Sequence, residues 1–192
     1  MRIVGGEFRG RRLATPAGDA IRPTSDRHRE TLFNILGHRP GLLLDGARVL
    51  DLFSGTGALG LEALSRGARF CLFVEEGVEG RGLIRQNVEA FGLQGRSRLF
   101  RRDATRLGPS GAVEPFDLLL ADPPYGKRLG EAALASALAG GWLKPGAVVV
   151  LEEAAAAPFE VPAGLRLEET RTMGETVLRF LVAEATPSPA AT

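Results

Sequence analysis

The chain has 192 residues, with 24 Lys and Arg against 23 Asp and Glu and a single cysteine. That length suits one domain with a proper core, the formal net charge of +1 gives no molecule-wide field toward a polyanion, and Cys71 alone supports neither an intrachain disulfide nor a cysteine metal site. No apolar run is long enough to span a bilayer and the Arg-rich start lacks the apolar core of a secretion signal, so a soluble cytoplasmic protein is expected.

The charge is unevenly spread, since residues 1–39 carry eight Arg against four acids. Arg outnumbers Lys by 22 to 2, a skew that phosphate recognition or a GC-rich genome would each produce. Residues 1–14, MRIVGGEFRGRRLA, alternate short apolar pairs with Gly-Gly and Arg clusters, which predicts a small β-hairpin with a basic face. Arg9, Arg11 and Arg12 on that face either grip a nucleic-acid backbone or merely meet solvent. Thr15 to Pro23 reads as a Pro/Gly loop. Thr24 or Ser25 then starts a helix to about Leu36, with Leu32, Phe33, Ile35 and Leu36 toward the core and a solvated, charged first half. Arg22, Thr24 and Arg27 lie where they could approach a cofactor carboxylate. His28 and His38 have no metal-ligand spacing and read as surface residues.

The stretch around which the chain is organised is RVLDLFSGTGALG, Arg48 to Gly60. An apolar run carrying Asp51 leads into a Gly-rich turn and then an apolar helical pattern, so a buried strand, a tight turn and a helix follow one another. Glycines there supply positive φ and bare backbone for a ligand. Gly55, Gly57 and Gly60 satisfy the dinucleotide pattern G-x-G-x-x-G, and Glu75 falls about twenty residues on. Asp51 argues against that reading, because a pyrophosphate would meet its charge, whereas a cofactor with an amino group would suit it. Candidate cofactor contacts are therefore Asp51, Phe53, Ser54, Gly55 and Gly57, and S-adenosylmethionine fits them better than a nicotinamide.

Further strands are predicted at Phe70 to Val74, Arg98 to Arg101, Phe116 to Ala121 and Ala147 to Leu151, with helices over Val78 to Phe91 and Leu129 to Leu138. The alternation implies a parallel sheet buried on both faces. Leu165 to Thr172 and Thr176 to Val182 then read as an antiparallel pair at one edge. The domain spans residues 24–184, preceded by the basic arm and loop of residues 1–23. It is followed by a tail, residues 185–192, with nothing to bury and hence expected to be disordered.

Asp51, Glu75, Asp103 and Asp122 all stand at strand ends, where ligands of such sheets bind. Like charges gathered on one rim cost stability unless a ligand satisfies them. Glu75 suits a ribose diol. Asp103 and the Ala104 amide suit an adenine edge. Asp122-Pro123-Pro124-Tyr125 carries the chemistry: an exocyclic amine on a base is a poor nucleophile, and a carboxylate and a carbonyl accepting its two hydrogens favour the pyramidal form. Asp122 and the Pro123 carbonyl supply that pair, Pro124 stiffens the turn, and Tyr125 offers a ring for stacking. No metal, triad or nucleophilic cysteine is required.

On RIVGGEFRGRRL, RPTSDRHRETLFNIL, VLDLFSGTGALGLEALSRGA, FVEE and DLLLADPPYG, the chain resembles the class I methyltransferases that use S-adenosylmethionine. Within them it resembles the RsmD family of bacterial 16S rRNA guanine-N2 methyltransferases. The resemblance implies a Rossmann-like α/β fold, a mostly parallel seven-stranded sheet with an antiparallel last hairpin. It also implies S-adenosylmethionine as donor, and as acceptor one guanine of 16S rRNA, in the 30S subunit or an assembly intermediate. The enzyme is expected to act as a monomer. An adenine-N6 DNA methyltransferase would use the same tetrapeptide but normally carries a target-reading domain. A protein-glutamine methyltransferase would have Asn at Asp122. An NAD-dependent oxidoreductase or a catalytically silent RNA-binding subunit are the rivals from other classes.

Overall fold

The computed structural model describes residues 1–17 and 25–185. The expected contacts of Arg22 and Thr24, and the expected disorder of the tail beyond Ala185, lie outside the described residues. The strands are β1 (Arg48–Leu52), β2 (Phe70–Val74), β3 (Ser97–Phe100), β4 (Phe116–Ala121), β5 (Leu143–Ala154), β6 (Leu165–Met173) and β7 (Thr176–Ala183). The helices are α1 (Asp26–Gly37), α2 (Ala58–Ser65), α3 (Val78–Ala90) and α4 (Leu129–Ala139). One seven-stranded sheet runs in the order β3-β2-β1-β4-β5-β7-β6. Strands β1 to β5 are parallel, and β7 enters antiparallel between β5 and β6. This is the class I methyltransferase arrangement. Strand order reverses between β1 and β4, so the crevice beyond their carboxyl ends is where a ligand fits.

Strands β1, β2 and β4 are apolar on both faces because both faces are covered. On one side, α1, α2, α3 and residues of the N-terminal arm close over Val49, Phe73, Leu118, Val148 and Phe180. On the other, α4 and Trp142 close over Leu50, Leu72, Leu119 and Val149. The close approach of α2 to the sheet requires Gly60: a Cβ there would stand 2.4 Å from the Phe73 ring and 2.5 Å from Cys71 Sγ. Cys71 is a buried core residue, and burial pushes its thiol up.

Three local readings differ from the structure. Strand β5 is longer than Ala147 to Leu151, because its end pairs with β7 as far as Ala154 opposite Thr176. The arm folds back through one antiparallel bridge, Arg2 with Arg12, rather than a ladder; it is held by burial of Ile3, Phe8 and Leu13. The first half of α1 is not wholly solvated, since Arg29 is fully buried against Asp26 and Glu62.

Candidate active site

Beyond the carboxyl ends of β1 and β4 lies a cavity of about 460 Å³. Strand β1 and its turn contribute Asp51, Phe53, Ser54, Gly55 and Thr56; β2 contributes Glu75; the loop after β4 contributes Asp122, Pro123, Pro124 and Tyr125. A second cavity, about 480 Å³, is lined by Gly77, Asp103 and Ala104 and shares Phe53, Glu75 and Pro124 with the first. The four strand-end acids thus border two adjoining cavities that together make up the recess, on a rim formed by the parallel strands β1, β2 and β4.

The turn is shaped by its own polar groups. Ser54 Oγ donates to the Asp51 carbonyl at 2.7 Å and accepts from the Val74 amide at 3.1 Å, tying β1 to β2 at the rim. Gly57 sits at φ +80°, in the left-handed region, where it opens α2. Phe53 also takes a positive φ, 57°. A bulky residue held there costs of order 1–3 kcal/mol, and such strain gathers at functional sites. Glu75 accepts from the Gly55 and Gly77 amides at 2.8 and 2.6 Å, so its carboxylate is fixed between the two cavities. Asp103 accepts from the Thr105 hydroxyl and amide, which hold its carboxyl below the usual range.

Asp51 is 1 % exposed. Burial pushes its carboxyl up to about 8, with the charges of Asp122 and Glu75 adding to the rise and the Gly60 amide, 3.0 Å away, opposing it. A carboxyl destabilised in this way is recovered by a cationic ligand. The donor set therefore fits a nucleoside joined to a sulfonium amino acid: acceptors for a ribose and a base edge near the second cavity, a bare glycine turn between, and acids facing positive charge in the first. Among the described residues no group of His, Cys, Asp and Glu could hold a metal ion, and no helix is long and apolar enough to cross a membrane.

Not every expected site residue joins this recess. Arg27 is exposed and does not line either cavity, whereas Ser25 and His28, one helical turn of α1, line the first. His28 is thus a cavity residue and not the surface residue its isolation in the sequence suggests; the Ser25 cap, 3.1 Å from the His28 amide, fixes that turn. Glu152, near the end of β5, and Thr176, at the start of β7, also line this cavity and had no signal of their own, because the antiparallel pairing of β5 with β7 sets where they lie. Arg11 lies away from the recess: its guanidinium sits 4.3 Å from the Phe91 ring centre and donates to the Ala90 carbonyl at 2.6 Å. Arg9 and Arg12 are exposed on the same arm.

With this geometry, residues 1–182 match the family model described as "Conserved hypothetical protein 95". The chain belongs to the RsmD family. One relative in that family, ribosomal RNA small subunit methyltransferase D of Escherichia coli strain K12, is 35% identical over 189 residues, covering 96% of this chain and 91% of that protein. The solved structure of the Escherichia coli protein yhhF is 33% identical with a TM-score of 0.82, covering 97% of this chain and 99% of that one. An O-methyltransferase family protein from Burkholderia thailandensis aligns with a TM-score of 0.60 over 84% of this chain and 57% of that one at 15% identity, a likeness of fold alone. The Asp122 loop and the glycine turn face one cavity.

Proposed function

We propose that the protein transfers a methyl group from S-adenosylmethionine to the exocyclic N2 amine of one guanine in 16S rRNA, in the cytoplasm, on the 30S subunit or an assembly intermediate. The single observation that carries this reading is the shared cavity of the glycine turn and Asp122-Pro123-Pro124-Tyr125. It is supported by the family and by the activity named for the Escherichia coli relative.

S-adenosylmethionine, when bound, supplies a methyl group already activated on a sulfonium. The chain's residues supply approach, alignment and charge stabilisation. Glu75 would hold the ribose, Asp103 and the Ala104 amide the adenine edge, and Asp51 with Phe53, Ser54, Gly55 and Gly57 the turn beneath the amino acid. Asp122 and the Pro123 carbonyl would accept the two hydrogens of the target amine, keep its lone pair out of the ring, and stabilise the positive charge that builds as the N–C bond replaces the sulfonium S–C bond, the amine's surplus proton then passing to Asp122. Pro123 is buried and lacks an N–H, which fixes that carbonyl. Tyr125 stacks the base, which must leave its helix to enter the cavity.

The test is transfer of tritiated methyl to naked DNA, naked 16S rRNA and 30S particles from cells lacking the gene, followed by mass-spectrometric mapping. Label is expected on one guanine N2 of 16S rRNA. Label mainly on DNA adenine would overturn the reading in favour of an adenine-N6 methyltransferase. Asp122→Ala should lower turnover by at least a hundredfold while cofactor affinity, read by calorimetry, stays within a few-fold; unchanged turnover would remove Asp122 from the mechanism.

A further inference from the structure

Glu152 stands on the face of β5 that carries Val148 and Val150, beneath α1, because side chains on a strand alternate. It lines the first cavity together with Ser25 and His28. It is 6 % exposed, yet among the described residues no cation pairs with it. Among the described residues its side chain accepts one hydrogen bond, from the Tyr125 hydroxyl to Oε1 at 2.7 Å. A carboxylate this buried and this sparsely satisfied costs folding free energy, which a ligand group would offset. The next residue, Glu153, points to the other face and accepts from the Gly126 amide at 3.0 Å. The end of β5 therefore grips the Tyr125 loop from both faces, but only Glu152 opens on the cavity.

We propose that Glu152 reads the N1–H of the target guanine and so separates guanine from adenine at this site. The inference rests on the guanine-N2 reading and deepens it. In guanine the N1–H lies next to the N2 amine on one edge. With the amine between Asp122 and the Pro123 carbonyl, the adjacent N1–H needs an acceptor on the cavity wall. A carboxylate only accepts. Thr176 donates its hydroxyl to the Met173 carbonyl at 3.1 Å, whereas the Ser25 hydroxyl, which accepts from the His28 amide, keeps its proton for the neighbouring O6. Adenine would turn a lone pair at N1 toward the same carboxylate, and a site built to receive a donor rejects a base that lacks it. The Tyr125 hydroxyl holds Glu152 in place while the Tyr125 ring faces the base.

The experiment compares wild type, Glu152→Gln, Glu152→Ala, Tyr125→Phe and the double variant Glu152→Ala with Tyr125→Phe. Substrates are unmodified 30S particles carrying either the natural guanine or adenine at the mapped position. Binding of S-adenosylhomocysteine, read by calorimetry, reports whether each variant keeps its fold and donor site. Glu152→Gln is expected to lower kcat/KM on guanine at least tenfold, to shift the guanine-to-adenine ratio at least tenfold toward adenine, and to leave S-adenosylhomocysteine affinity within twofold. Tyr125→Phe, which releases Glu152 from its anchor but keeps the carboxylate, should shift that ratio by less than Glu152→Gln does. An unaltered ratio in Glu152→Gln overturns the inference. So does an equal loss in Glu152→Ala and Tyr125→Phe with no further loss in the double variant, because Glu152 would then only anchor the ring. A wild-type enzyme that places no label on guanine N2 overturns the functional reading and this inference with it, whereas the other two outcomes overturn the inference alone.

Discussion

Asp51 is the residue at which fold and ligand compete. Its ordinary pKa is 3.8 and its folded value about 8, so between those values the native protein keeps a proton that the unfolded chain has released. Stability therefore falls as pH rises through that window, and the cost is complete above about pH 8. Asp51→Asn removes the charge and retains an oxygen for the Gly60 amide. Its melting temperature is expected to exceed that of wild type by more at pH 8 than at pH 5, as measured by scanning calorimetry. A cation in the cavity lowers the same pKa, so S-adenosylmethionine binding should release a proton and tighten as pH rises toward 8. Titration calorimetry in buffers of different ionisation enthalpy would detect the proton, and an affinity independent of pH would place the positive charge elsewhere. Asp51, Glu75 and Asp122 were legible in the sequence because each closes an apolar run read as a strand, and Asp103 because it falls just past the next expected strand, Arg98 to Arg101. His28, Glu152 and Thr176 were not, because their distance from the glycine turn is set by how α1 packs on the sheet and how the end of β5 pairs with β7.

At the scale of elements, the arm, α1 and α2 meet at one buried charge. Glu62 of α2, fully buried, accepts from the Val4 amide at 3.0 Å and from Arg66 Nε at 2.8 Å, and stands 3.5 Å from Arg29 Nε. Arg29 in turn donates to the Arg2 carbonyl and to Asp26. Ser65, at the end of α2, donates to the Gly5 carbonyl and accepts from the Phe8 amide. Removing Glu62 takes from the buried Arg29 one of its carboxylate partners, and breaking a buried ion pair in this way costs up to about 3–5 kcal/mol. Glu62→Ala is expected to lose about that much stability by urea denaturation and to speed amide exchange in residues 1–14. Loss of stability without faster exchange in the arm would mean that its apolar contacts suffice to hold it. The element order followed from alternating apolar runs and glycine turns. The burial of Arg29 did not, since a charged residue in a first helical turn looks the same whether its partner is water or a carboxylate, Glu62, far along the chain in a stretch read only as apolar helix.

For the whole molecule the question is how far a nucleic-acid footprint extends from the cavity. Helix α3 begins beside Glu75 and ends at Ala90, a length of about 20 Å at 1.5 Å per residue. Arg11 caps that far end, resting on Phe91 and bonded to the Ala90 carbonyl. Arg9 and Arg12, two further cations of the arm, are exposed on this flank of the domain. If they contact phosphates, the bound RNA is a structured element spanning that flank rather than one extruded nucleotide. Arg9→Ala with Arg12→Ala should then reduce the salt slope of rRNA binding by roughly 0.9 per lost phosphate contact on a duplex, measured by filter binding across a salt series. Arg11→Ala should instead leave the slope in place and lower the melting temperature, because it gives up a ring contact and a helix-end hydrogen bond. With a net charge of only +1 there is no general field to mask these local changes. An identical slope in the Arg9 and Arg12 double variant would return the arm to a purely packing role, and the approach of the RNA would then have to be sought on the face of the domain nearer Tyr125.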